Sequence, residues 1–256
     1  MESSNFNLAY RRKMLRKRKK RRQIIISAIL ISFILLPLIF SMKSKNNFIT
    51  TIKKNNIPYK EEFIVCIDAG HGDWDSGTLG TSGSEEKDIA LEISLKLGEL
   101  LDVQEDIKVI YTRTSDSLPW LKTANDSLKE RIKISNLANA NLFISLHCNS
   151  NYDDTNAKGI ETWYNPDSKA NEKLASCLQQ ELTNLNYTND RGLKFYDNKD
   201  DALAVLEKTT ATSALIELGF ISNFEDEYYL NSKPGQSACA EALYKGIINY
   251  RNSLLN

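Results

Sequence analysis

FIVCIDAGHGDWDSGTLGTSGSEEKDIALEISLKLGELL, Phe63 to Leu101, passes from a short β-branched apolar run through a glycine-rich loop into a segment of helical period. Phe63–Asp68 has the composition of a buried strand. Ile89, Ile93, Leu97 and Leu100 recur at spacings of four, four and three, which lines up one apolar face on a helix over Glu86–Leu101. Strand, loop and crossover helix make the repeating unit of a parallel sheet, and the alternation continues downstream. Further strands are predicted at Ile107–Thr112, Leu142–Leu146, Gly159–Tyr164, Ala204–Leu206 and Ser213–Leu218, and further helices at Ser127–Ala140, Lys169–Leu185, Asn223–Leu230 and Gln236–Leu254. Ser222 and Glu225 form an S-x-x-E capping box, so the chain should turn from strand to helix just after Phe220. The expected fold is one α/β domain over residues 62–256, three-layered, with a mostly parallel twisted sheet of about six strands flanked by helices. No internal repeat or second periodic segment is present.

Upstream of this domain the composition changes. Arg11–Arg22 holds ten of the 33 Lys and Arg residues, and seventeen uncharged residues follow, IIISAILISFILLPLIF from Ile24 to Phe40. That run is at the short end of what crosses a bilayer, and basic flanks stay on the cytoplasmic side. The sequence therefore predicts a cytoplasmic basic segment over 1–23, a single transmembrane anchor over 24–41 and a polar, Lys-rich linker over 42–61, with the domain outside the membrane. A cleaved signal peptide is the rival, but FSMKSKNN offers no small-x-small cleavage site. From Gln23 onward 23 bases face 32 acids, a balance that argues against nucleic acid as a partner. The four cysteines, Cys66, Cys148, Cys177 and Cys239, form no C-x-x-C pair, and a domain of this size needs no staples, so buried free thiols are expected.

Ligands in open α/β sheets bind outside the carboxyl ends of the strands. His71 and His147, the only histidines in the chain, fall at that edge, after FIVCID and within LFISLH, and Glu217 lies near the end of SALIEL. Two imidazoles and a carboxylate form a ligand set that leaves zinc an open position. Glu86 and Glu85, at the start of the first helix, both fit the third place, and spacing does not separate them. The loop GHGDWDSGTLGTSG, Gly70–Gly83, fails as a phosphate cradle. A G-x-G-x-x-G frame from Gly70 meets Asp75 instead of glycine, and a G-x-x-x-x-G-K frame from Gly72 meets Thr78 instead of lysine. Its glycines suit a tight loop that brings backbone close to a metal or substrate.

The blocks IDAGHGDWDSGTLG, EEKDIALEISLKLGELL, LFISLHCNS and ALIELGFISN, in this order, resemble the signature segments of the zinc-dependent N-acetylmuramoyl-L-alanine amidases of the amidase-3 type. With YTRTSD, LKERIKISN and RGLK between them, the resemblance spans about Phe63 to Tyr250. It implies hydrolysis of the amide joining N-acetylmuramic acid to L-alanine in peptidoglycan, with one zinc ion held by His71, Glu86 and His147 and with Glu217 as the catalytic glutamate. Arg191, within DRGLK, is a candidate contact for substrate carboxylates. Cys148 stands where the family usually has alanine, and the stretch 211–213 lacks the family's usual proline. Strand alternation points Cys148 away from the metal side. No obligate protein partner is inferred. The alternatives are a non-catalytic wall-binding domain of the same fold, or a zinc peptidase or deacetylase acting on other peptidoglycan amides.

Overall fold

The computed structural model describes residues 62–118, 122–198 and 202–255; the basic segment, anchor and linker expected from the sequence lie outside them. The strands are β1 (Phe63–Ala69), β2 (Ile107–Tyr111), β3 (Leu142–Asn149), β4 (Ile160–Trp163), β5 (Asp190–Lys194) and β6 (Thr212–Phe220). The helices are α1 (Glu86–Leu101), α2 (Ala124–Leu137), α3 (Lys169–Thr183), α4 (Ala204–Lys208), α5 (Phe224–Leu230) and α6 (Lys233–Asn252). The strands form one sheet in the order β2-β1-β3-β6-β4-β5. Every neighbouring pair is parallel except β4 with β6.

Strand alternation sorts the two faces. Val65, Ile67, Leu142, Ile144, Leu146, Cys148, Ala214, Ile216 and Leu218 point to one side and meet α1, α3 and α6 in the main core. Cys66, Phe143 and Leu215 point to the other, a smaller core closed by Val205 and Leu206 of α4 and by α2 residues Ile132 and Ile134. Along that thin side β3 continues from Phe143 through Ser145 to His147, and β6 from Leu215 to Glu217. Two side chains of the expected site therefore reach the less covered face at its open end.

Two elements differ from expectation. Ala204–Leu206 is not a strand but the first part of α4, whose Val205 and Leu206 bury against the second core. Three apolar residues are too few to show a period of 2 or 3.6. The sixth strand is instead DRGLK, Asp190–Lys194, an edge strand paired only with β4, with Gly192 at φ +75°. Its polar side chains and glycine gave no strand signal. Smaller corrections concern caps. Thr123, whose side chain accepts from the Asp126 amide, starts α2 three residues earlier than expected. Asn223 rather than Ser222 caps α5, accepting from the amides of Glu225 and Asp226, while the Ser222 hydroxyl accepts from the Asn151 amide.

Candidate metal centre

His71 follows β1 on a backbone held in an unusual shape, with φ of 57° at His71 and 129° at Gly72. Two buried arginines hold this turn. Arg113 donates from Nε to the Ala69 carbonyl and from Nη2 to the carbonyls of Gly70 and Lys87. Arg131 donates to the carbonyls of Ala69 and His71 and pairs with Asp68 at 2.6 Å, where Thr112 and Ser145 also donate. Burial would raise the Asp68 carboxyl's pKa, but Arg131 and the two hydroxyls outweigh it and keep the group ionised below its ordinary range.

Two glycines of the loop allow close approach to the side chains of the cluster. A Cβ on Gly70 would come within 2.3 Å of the His147 ring, and one on Gly77, at φ +65°, within 2.6 Å of Glu86 Oε2 and 2.7 Å of the His71 ring. These contacts leave no room for a side chain.

Glu86, the first residue of α1, is buried and lies between the two imidazoles. His71 Nε2 is 3.1 Å and His147 Nδ1 3.0 Å from the same oxygen, Oε1, which also accepts from the Cys148 amide. Its Oε2 accepts from the Thr78 amide at 2.9 Å. One donor atom from each of His71, Glu86 and His147 lies within 4.8 Å of the others, and the rings meet edge to face with centroids 4.9 Å apart. Glu85 is excluded from the cluster: it occupies the N-cap in extended conformation, and its carboxylate pairs with Lys87. Burial works against a charged Glu86, but the two histidines prevail and hold its pKa far below the ordinary carboxylate value. For His71 burial pulls the pKa down, and the carboxylates of Glu86 and Asp75 more than reverse it.

Asp75 is the residue that sequence reasoning missed. Its Oδ2 lies 3.0 Å from His71 Nδ1, and its Oδ1 accepts from the Gly77 amide. With its proton on Nδ1 shared with Asp75, the ring would leave Nε2 free to act as a ligand, the arrangement in which an outer carboxylate orients a metal-bound histidine. The signal available was an acid four residues beyond the histidine.

Glu217 pairs in register with His147 across β3 and β6. Its Oε2 is sealed from solvent and has no hydrogen-bond partner. Burial, joined by the charges of Glu86 and Glu161 and opposed by the histidines, pushes its pKa up to about 7. Glu161 of β4 lies opposite Glu217 and accepts from Asn149, Trp163 and Arg191. Arg191 thus reaches the site's margin through Glu161, with its guanidinium 4.7 Å from the centroid of the Phe220 ring. Cys148 points into the main core, as strand alternation required, and burial raises its thiol well above the ordinary value. All four cysteines are free, although Cys177 is only partly buried.

Two imidazoles around an ionised carboxylate, with a second carboxyl that can hold a proton near neutrality, are a donor set and a proton carrier suited to a hydrolase that works on a metal-activated water. The particular family follows from comparison. The family model described as N-acetylmuramoyl-L-alanine amidase matches residues 65–249, and the chain belongs to that family, whose members are zinc-dependent. The germination-specific N-acetylmuramoyl-L-alanine amidase of Bacillus subtilis is 30% identical over 229 residues, covering 86% of this chain and 92% of that protein. Among solved structures, the CwlD amidase from Clostridioides difficile in complex with the GerS lipoprotein is 35% identical with a TM-score of 0.69, covering 75% of this chain and all of that one. An N-acetylmuramoyl-L-alanine amidase from Clostridium difficile 630 is 31% identical with a TM-score of 0.67, covering 75% of this chain and 98% of its own. The protein is a peptidoglycan amidase that cleaves between N-acetylmuramic acid and L-alanine.

Proposed function

We propose that the amidase reaction runs on a single zinc ion held by His71, Glu86 and His147, with Glu217 as the proton carrier, in a domain tethered to the outer side of a membrane. The observation that carries the proposal is the convergence of three donors within 4.8 Å around a buried, ionised Glu86. Two nitrogens and a carboxylate oxygen suit zinc, and the thiols of Cys66 and Cys148, buried with raised pKa, do not compete. When bound, zinc makes water acidic enough to attack at neutral pH and polarises the amide carbonyl.

The residues of the chain do the rest. Asp75 fixes the His71 ring, and Cys148 and Thr78 fix the two oxygens of Glu86 through their amides. Glu217 takes the proton of the attacking water and delivers it to the departing amino nitrogen of L-alanine as the C–N bond breaks. Across the sheet His147, Glu217, Glu161 and Arg191 follow one another on β3, β6, β4 and β5. Arg191 closes that row, where it is suited to meet a carboxylate of the stem peptide. Residues 24–41 are proposed to cross the membrane once, with 1–23 on the cytoplasmic side, on the strength of the basic block and the apolar run that follows it.

The two neighbouring glutamates give the test. Glu86→Ala is expected to lose zinc and Glu85→Ala to retain it, measured as metal per chain after gel filtration. Equal loss in both would undo the assignment.

A further inference from the structure

Glu227, on the short helix α5, is almost fully buried yet takes no part in the chemistry above. Its carboxylate reaches across to the loop that leads into α1. The hydroxyls of Thr81 and Ser84 donate to its two oxygens, and the Ser82 amide donates to both at 3.0 and 2.9 Å. Burial opposes the charge, but these donors hold the carboxyl below its ordinary pKa. The fit is close enough that a Cβ on Gly80 would come within 2.1 Å of Glu227 Oε1. The gathered segment is a narrow hairpin: Leu79 bridges Glu85, the Gly80 amide donates to the Ser84 carbonyl, and the Gly83 amide donates to the Gly80 carbonyl. At its base Thr78 and Glu86 are tied twice, by the Glu86 amide to the Thr78 carbonyl and by the Thr78 amide to Glu86 Oε2. The hairpin's base is thus bonded to the ligand carboxylate itself.

We propose that Glu227 is a positioning residue for the metal centre: by gathering Thr81, Ser82 and Ser84 it holds the 78–85 hairpin in the arrangement that presents Glu86 to His71 and His147. The inference rests on the reading that these three residues hold zinc. Its neighbour Asp226 provides an internal contrast. Asp226 is equally buried and accepts from the amides of Gly159, just before β4, and Phe220, at the end of β6, with no hydrogen bond to the hairpin among those described.

Zinc affinity of the full-length protein in detergent, measured by competition with a colorimetric chelator, separates positioning from bulk stability. Glu227→Gln keeps the shape but removes the charge, and is expected to weaken zinc binding about 10- to 100-fold, the range for outer residues that orient a ligand. Thr81→Val combined with Ser84→Ala leaves the carboxylate in place and removes two donors from a largely exposed loop. It should act in the same direction by more than about threefold, and it decides the matter if Glu227→Gln does not fold. Asp226→Asn should lower the melting temperature while leaving zinc affinity within about twofold. Unchanged affinity in the hairpin variants, or an equal loss in Asp226→Asn, overturns the proposal. A wild-type protein that binds no zinc overturns the metal assignment itself, which is a different result.

Discussion

Glu217 is the residue on which the proposed reaction turns, and its surroundings make its behaviour measurable apart from turnover. Glu217→Gln should keep zinc and lower kcat by about 10²- to 10⁴-fold, the usual contribution of a positioned proton carrier. In metal-free protein its carboxyl is raised from 4.5 to about 7, chiefly by burial. The folded state then holds the proton more tightly than the unfolded state. The stability this contributes is complete below about pH 4.5 and is lost as pH rises through about 7. Chemical denaturation of chelated wild type and Glu217→Gln should therefore show the wild type losing ground to the variant between these limits; a constant difference would contradict the burial that defines the site. Both histidines were legible in the sequence because the chain has no others and each lies within two residues of the carboxyl end of a strand. Glu86 was not separable from Glu85 by spacing, since two adjacent acids at a helix start differ only in which is the cap and which the first helical residue. Asp75 was hidden because its role depends on loop backbone with φ above zero at His71, Gly72 and Asp73, which no periodicity announces.

The elements place the site through polar bonds that hydrophobic patterning does not reveal. α2 carries Arg131 into the interior against Asp68 at the end of β1, and the same guanidinium reaches the carbonyls that set the His71 turn. Arg131→Met would leave Asp68 buried without its counter-charge, a change worth about 3–5 kcal/mol. Thermal unfolding should fall by roughly 10 °C, taking about 2–4 °C per kcal/mol for a domain of this size. A loss near zero would mean that Asp68 is satisfied by Thr112 and Ser145 alone. Strands with an apolar period, β1, β3 and β6, were predicted because they lie at the centre of the sheet between two cores. DRGLK escaped because an edge strand held by one neighbour tolerates charge and glycine, and α4 was mistaken for a strand because its buried residues are too few to show a helical turn.

At the scale of the whole molecule, a hydrolase of peptidoglycan must be where that polymer is, and the proposed N-terminal anchor would keep it there. The full chain is expected in the membrane fraction and to resist extraction by salt and alkaline carbonate, whereas release by either would remove the anchor from the account. The direct test of the central claim is mass spectrometry of purified peptidoglycan digested by the protein with chelator, without it, and with zinc restored. The account predicts intact glycan separated from intact stem peptides bearing free L-alanine amino termini, abolished by chelation and recovered with zinc. Shortened peptides, lost acetyl groups, or no cleavage by zinc-loaded protein would contradict it.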